Sequence, residues 1–267
     1  MPIKEISSSN NASIKEYRRL AGSRKYRRSA GKLALEGPHL VKEALATGLL
    51  PEVVFVTRSF LDSGGEKILS VLPGKTRLYL LSPSLFAGLA HTETPQEVAA
   101  IVPFREPGAT ALLSRPLTLV LILDCLQDPG NMGTIIRTAA AAGVEALFYS
   151  RGCVDPYNPK ALRSTAGALF HLPLAVVEDP RQLVKLLQHG GMTIVAAQPQ
   201  AGQCYWEVDY RRKTGLLIGS ESRGLSPGLI AAADFSVFIP QFSSLDSLNA
   251  AIAAAVIIYE ALRQRSS

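Results

Sequence analysis

The chain has 267 residues, 47% of them apolar and 19% charged, a mixture that excludes a disordered or fibrous protein and fits one or two folded domains. Three cysteines, Cys125, Cys153 and Cys204, are odd in number and far apart, which argues against a disulfide scaffold or a zinc ribbon; they are expected as small buried hydrophobes in a reducing compartment. The net charge of +6 is uneven: residues 15–32 carry +7, with Glu16 as the one acid among eight basic residues, so the rest of the chain sums to −1.

From the start, residues 1–5 contain no apolar signal region, and Glu5 and Glu16 argue against a transit peptide. A Ser/Asn-rich lead, residues 7–11, can cap the basic helix that follows. That helix interleaves Tyr17 and Tyr26 with its cations, a pattern that suits polyanion binding with base stacking. Strands are expected at 32–35, 53–56, 77–81 and 97–102. Helices are expected from Pro38 to about Thr47 and after Ser82-Pro83. Residues 107–116 hold Pro107, Gly108 and Pro116 and read as a linker, which places domains at 1–106 and 117–267.

The second half opens with an unbroken apolar run, 117–123, which suggests a central parallel strand covered on both faces. Further strands are expected at 144–149, 174–177, 193–197, 215–218 and 236–239, with helices between most of them, so the class is α/β with a parallel sheet. The longest apolar stretch, 250–259, is shorter than the ~18 residues of a membrane span. A soluble, cytoplasmic protein without membrane contact is expected.

Three polar, glycine- or Ser/Asn-bearing loops each follow a strand. The first runs Asp128-Pro129-Gly130-Asn131-Met132-Gly133-Thr134-Ile135-Ile136-Arg137; Asn131 is the expected N-cap, and Arg137 lies one turn beyond Gly133 on the same helix face. The second, 219–227, has glycines near both ends and offers Glu221 as an acceptor. The third, 239–249, places Asp246 or Ser247 as cap of the final helix, with Asn249 in its first turn. Alone, each is also what an ordinary capped turn looks like. Together they sit at the carboxyl edge of one sheet, where open parallel sheets bind ligands. The chain has no G-x-G-x-x-G after a strand, no P-loop and no dense set of metal ligands, so no metal is expected. The four histidines are scattered outside these loops, and Cys125 near the first loop is read as structural.

The order N-x-G-x-I-x-R (Asn131, Gly133, Ile135, Arg137), then I-G-S-E-x-x-G-L (218–225), then Ile239-Pro240 with Ser247-Leu248-Asn249, resembles the SpoU, or TrmH-type, RNA 2′-O-ribose methyltransferases. The stretch 155–168, with Arg163, is also similar. The likeness covers about residues 117–264; the first half resembles more loosely a ribosomal-protein-like substrate-binding domain. The resemblance implies a SPOUT-type α/β domain with a C-terminal trefoil knot, preceded by a smaller α/β domain. It also implies a homodimer through the C-terminal domain, and S-adenosylmethionine held at Gly219, Ile239, Leu248 and Ala197. It implies Arg137 as the residue that activates the ribose hydroxyl, with Asn131, Glu221, Ser247 and Asn249 orienting it, the ribose or the methionine part. Since a guanidinium is a poor base, holding a phosphate and stabilising an alkoxide stays open as the alternative role. RNA contacts are expected at Arg24, Lys25, Arg27, Arg28 and Arg163, with ribosomal RNA favoured over transfer RNA and no DNA. The chain departs from the usual I-P-M-x-G: Gln241 replaces Met and Ser243 replaces Gly. Two other readings are a catalytically silent RNA-binding or ribosome-assembly factor, which the intact polar set disfavours, and a small-molecule enzyme with a nucleotide cofactor, which the missing fingerprints disfavour.

Overall fold

A computed structural model describes residues 2–89, 95–242 and 247–266. Contacts divide the chain into two compact units. One is Met1–Arg105 with Tyr157–Phe170; the other is Glu106–Pro156 with His171–Ser267.

The first unit holds a five-stranded sheet of β1 (Ile3–Ile6), β2 (Lys32–Glu36), β3 (Val53–Val56), β4 (Arg77–Leu81) and β5 (Val98–Pro103) in the order β1-β4-β3-β5-β2. β3 pairs parallel to β4 and antiparallel to β5. All four residues of β3 are buried, as its unbroken apolar run requires. The helix Ala12–Gly22 covers the sheet with Ile14, Tyr17, Leu20 and Ala21, a 3–4 spacing that makes one apolar stripe. Asn11 caps it, accepting from the Ser13 amide at 2.9 Å. The expected single basic helix is two helices. Ser23 leaves the helical region (φ −133°, ψ 110°), and its Oγ accepts from the Tyr26 amide, so it starts a second helix, Arg24–Ala30.

The second unit is a seven-stranded, wholly parallel sheet. It contains β6 (Leu119–Leu123), β7 (Ala146–Ser150), β8 (Leu174–Val177), β9 (Thr193–Ala197), β10 (Gln203–Cys204), β11 (Thr214–Ile218) and β12 (Phe235–Phe238). The order is β10-β12-β9-β11-β6-β7-β8. β6 is buried along its whole length between β11 and β7, with Leu119 to Leu123 aligned on Thr214 to Ile218. The chain runs outward from β6 to β8, then crosses to the other side for β9. The helix Pro129–Ala141 and the final helix Ala250–Arg265 pack against each other. At the far end, the Arg265 guanidinium donates to the carbonyls of Thr118, Tyr210 and Arg212, pinning that helix to the amino edge of the sheet.

Several expectations are revised. β1 was not foreseen, because an edge strand with three of four residues exposed carries almost no burial pattern; the two-residue β10 is too short to leave one. The stretch 107–116 is not a free linker. It contains the helix Ala109–Leu113, Leu112 lies in the second unit's core, and Glu106 just before it accepts from Tyr149 Oη and the Val176 amide. The segment Tyr157–Phe170, expected inside the second domain, belongs to the first unit: Tyr157 packs its ring on Phe104 (centroids 5.0 Å apart), and Arg163 Nη1 stands 3.8 Å from the buried Glu36 carboxylate. Cys153 and Cys204 are buried, but Cys125 is exposed, with φ +54° in the turn after β6.

Candidate active site

The loop after β6 starts its helix at Pro129, and the cap is Asp128, whose Oδ1 accepts from the Asn131 amide at 2.7 Å. Asp followed by Pro is a strong start signal, a cap and a residue with no amide to satisfy. Asn131, expected as the cap, therefore lies inside the first turn with its side chain free for other work. Its Nδ2 donates to Glu221 Oε1 at 2.6 Å, and its Oδ1 accepts from Asn249 Nδ2 at 3.0 Å. Asn249 is itself the cap of the final helix, its Oδ1 accepting from the amides of Ala251 and Ile252. Asp246 and Ser243 lie outside the described residues. One asparagine thus joins all three loops.

The second loop is a tight hairpin. Ser220 and Gly224 exchange both backbone hydrogen bonds, at 3.1 and 2.9 Å, and Gly224 has φ +63°. Gly219 faces the returning strand so closely that a β-carbon there would collide with the backbone of Gly224 and Leu225. The buried Asp124, at the end of β6, accepts from the Ser226 amide at 3.3 Å and ties the hairpin to the sheet.

Between this hairpin, the end of β12 and the start of the final helix lies a cavity of about 330 Å³. That is within the ~300–1,000 Å³ usual for small-ligand sites. Ala197, Gly219, Ile239 and Leu248, the four expected cofactor residues, all line it, as do Glu221 and Ser247. Its apolar wall is Ile218, Val237, Ile239, Leu248 and Ile257; its polar part includes Glu221, Ser222 and Gln241. Gln241 Oε1 is buried there without a hydrogen-bond partner among the described residues. Asn131 stands at the rim, bonded to Glu221, and Asn249 is bonded in turn to Asn131. Arg137 is exposed on the helix Pro129–Ala141, and no hydrogen bond or ion pair engages its side chain among the described residues. The Cys125 thiol is raised above its ordinary pKa, first by desolvation and then by the Asp124 carboxylate, so it is protonated and a poor nucleophile at neutral pH.

In the first unit, the expected RNA residues separate. Lys25 and Arg28 are exposed and Arg24 is half-buried. Arg27 is buried: its Nη1 donates to the carbonyls of Leu20 and Ala21, the last turn of the preceding helix, so it is a structural residue and not a surface cation. Arg163 is partly buried beside Glu36. Sequence reasoning missed Asp124 and Asp128, which brace the loops; only the Asp128-Pro129 pair carried a local signal.

Two family models match the chain one after the other along its sequence. Residues 118–259 match the SpoU rRNA methylase family, and residues 11–100 match the MRM3-like substrate binding domain. The chain is 38% identical to a tRNA/rRNA methyltransferase of Synechocystis sp. described as uncharacterized, over 98% of this chain and 95% of that one. It is 34% identical to the Bacillus subtilis 23S rRNA (guanosine(2553)-2′-O)-methyltransferase RlmP, over 96% and 98%. The crystal structure of the SpoU methyltransferase AviRb from Streptomyces viridochromogenes, in complex with the cofactor AdoMet, superposes with a TM-score of 0.84 at 30% identity, covering 96% of this chain and 99% of that one.

Proposed function

The chain belongs to the SpoU rRNA methylase family and is an S-adenosylmethionine-dependent RNA 2′-O-ribose methyltransferase; we propose that its substrate is 23S-type ribosomal RNA and that it works as a homodimer in the cytoplasm. Its fold is the SPOUT-type parallel domain with a C-terminal trefoil knot, preceded by a smaller substrate-binding domain. The residues of the cavity fit the cofactor. The apolar wall suits a purine, the Glu221 carboxylate suits a cationic sulfonium or ammonium, and the buried Gln241 oxygen suits a neutral donor. Bound there, S-adenosylmethionine supplies an electrophilic methyl group.

The protein's own task is alignment and proton management. The observation that carries the reading is the bridge Glu221–Asn131–Asn249, which locks three loops together at the cavity rim. Each asparagine in it donates through Nδ2 and accepts through Oδ1, so the side chains are fixed before substrate arrives, and such pre-organisation supplies much of the barrier reduction in a positioned displacement. Arg137 projects from the same helix as Asn131, six residues on. Its guanidinium is suited to hold the phosphate beside the target ribose and to stabilise charge developing on the 2′-oxygen.

Ribosomal RNA is favoured by the two-domain layout, shared over nearly full length with the B. subtilis 23S enzyme. The exposed cations Lys25 and Arg28 of the first unit suit an RNA backbone. Dimerisation through the C-terminal domain is supported by Ile252 and Tyr259, seven residues apart on one face of the final helix and about half exposed. The reducing cytoplasm suits three free cysteines.

The test is transfer of tritium from methyl-labelled S-adenosylmethionine into unmodified RNA. Label should enter ribosomal RNA, resist alkali as a 2′-O-methyl dinucleotide, and fall at least 100-fold in Arg137→Ala while cofactor affinity changes less than threefold. Near-normal turnover in that variant would remove Arg137 from the chemistry. Label in transfer RNA alone would overturn the substrate.

A further inference from the structure

Resting on the cofactor reading above, we propose that Gln241 recognises the adenine of the bound cofactor, its carboxamide oxygen accepting a hydrogen bond from the exocyclic N6 amine. Three observations converge. Gln241 lines the cavity. Its Oε1 is buried and has no hydrogen-bond partner among the described residues, an arrangement that bears the desolvation penalty with no return unless a ligand supplies the donor. And the position is one where the sequence departs from the I-P-M pattern it resembles, a methionine being unable to accept such a bond with comparable strength.

The cofactor carries three kinds of donor: the adenine amine, the ribose hydroxyls and the α-ammonium. The cationic donor is better matched by Glu221, a carboxylate in the same cavity, because a charge-assisted bond is stronger than one to a neutral amide. The neutral carboxamide is matched to the neutral amine. A glutamine also presents an N–H beside its C=O, and adenine presents the N7 acceptor beside N6, the two-point pairing by which glutamine reads adenine in nucleic acids. The apolar side chains Ile218, Val237, Ile239 and Leu248 that share the cavity supply faces against which a flat purine can lie. Gln241 is therefore a specificity residue: it selects the base of the cofactor and takes no part in methyl transfer.

The assignment is tested by isothermal titration of the full chain with S-adenosylhomocysteine and with its 6-deamino analogue, which lacks only the amine. The wild type should prefer the amine-bearing ligand by about 5- to 10-fold. Gln241→Met, close in volume and apolar, should lose that factor against S-adenosylhomocysteine and bind the analogue within twofold of wild type. Gln241→Glu, which keeps an acceptor, should retain the preference. A preference that survives in Gln241→Met overturns the proposal, and so does an equal loss for both ligands in that variant with its melting temperature unchanged. Failure of the folded wild type to bind S-adenosylhomocysteine at all would instead overturn the cofactor reading, and this assignment with it.

Discussion

At the scale of single residues, Asn249 has two duties that substitution can separate. Its oxygen caps the final helix and its amide nitrogen holds Asn131. Asn249→Asp keeps the cap but removes the donor and sets a carboxylate against the Asn131 oxygen. Thermal unfolding should shift little, while kcat falls about tenfold or more. Asn249→Ala should lose both, adding about 1 kcal/mol of destabilisation in urea unfolding. Arg27 and its neighbours make a second contrast. Arg27→Ala leaves the Leu20 and Ala21 carbonyls without their donor and should cost about 2 kcal/mol of stability, with the salt dependence of RNA binding unchanged. Neutralising Lys25 and Arg28 together should leave stability within about 0.5 kcal/mol and flatten the slope of log K against log salt by about 1–2. The sequence shows eight basic residues in a row of eighteen. It does not show which of them folds inward, because that depends on the break at Ser23.

At the scale of elements, the hairpin after β11 is built around one residue without a side chain. Gly219→Ala places a methyl group into the Gly224–Leu225 backbone, so the hairpin must open or shift. Cofactor affinity should fall at least tenfold by titration, while unfolding of the sheet, reported by far-ultraviolet circular dichroism, changes far less. Most of the elements were legible. The apolar runs of β3 and β6 and the proline-led helices announce themselves locally, since both-face burial and missing amides leave marks in the sequence. The bond from Asn131 to Glu221, 90 residues away, leaves no such mark. It exists only because the sheet order sets β11 beside β6, and strand order is not written in any one segment. For the same reason Asn131 reads as a cap in the sequence: its residue type suits one, and its partners, Glu221 and Asn249, come from two other loops.

At the scale of the whole molecule, sequence order and spatial grouping diverge at one place. Residues 157–170 come after the strand β7 of the second unit, yet they complete the first unit, where Arg163 stands beside the buried Glu36. A fragment ending at Arg105 therefore loses the Arg163 guanidinium from beside the buried Glu36 carboxylate. In urea it should be less stable by about 2 kcal/mol or more than the same fragment with residues 157–170 joined by a flexible linker; equal stability would show the segment to be dispensable. On the ribosome the same feature becomes a matter of timing. After Arg105 has been made, 65 more residues must be added before Phe170 is in place, roughly 3–13 s at cellular rates of elongation. The domain at the beginning of the chain is thus not finished when its own continuous stretch has been made. Through that interval the nascent unit lacks Tyr157–Phe170, in the company of the very class of RNA that the completed enzyme is proposed to modify.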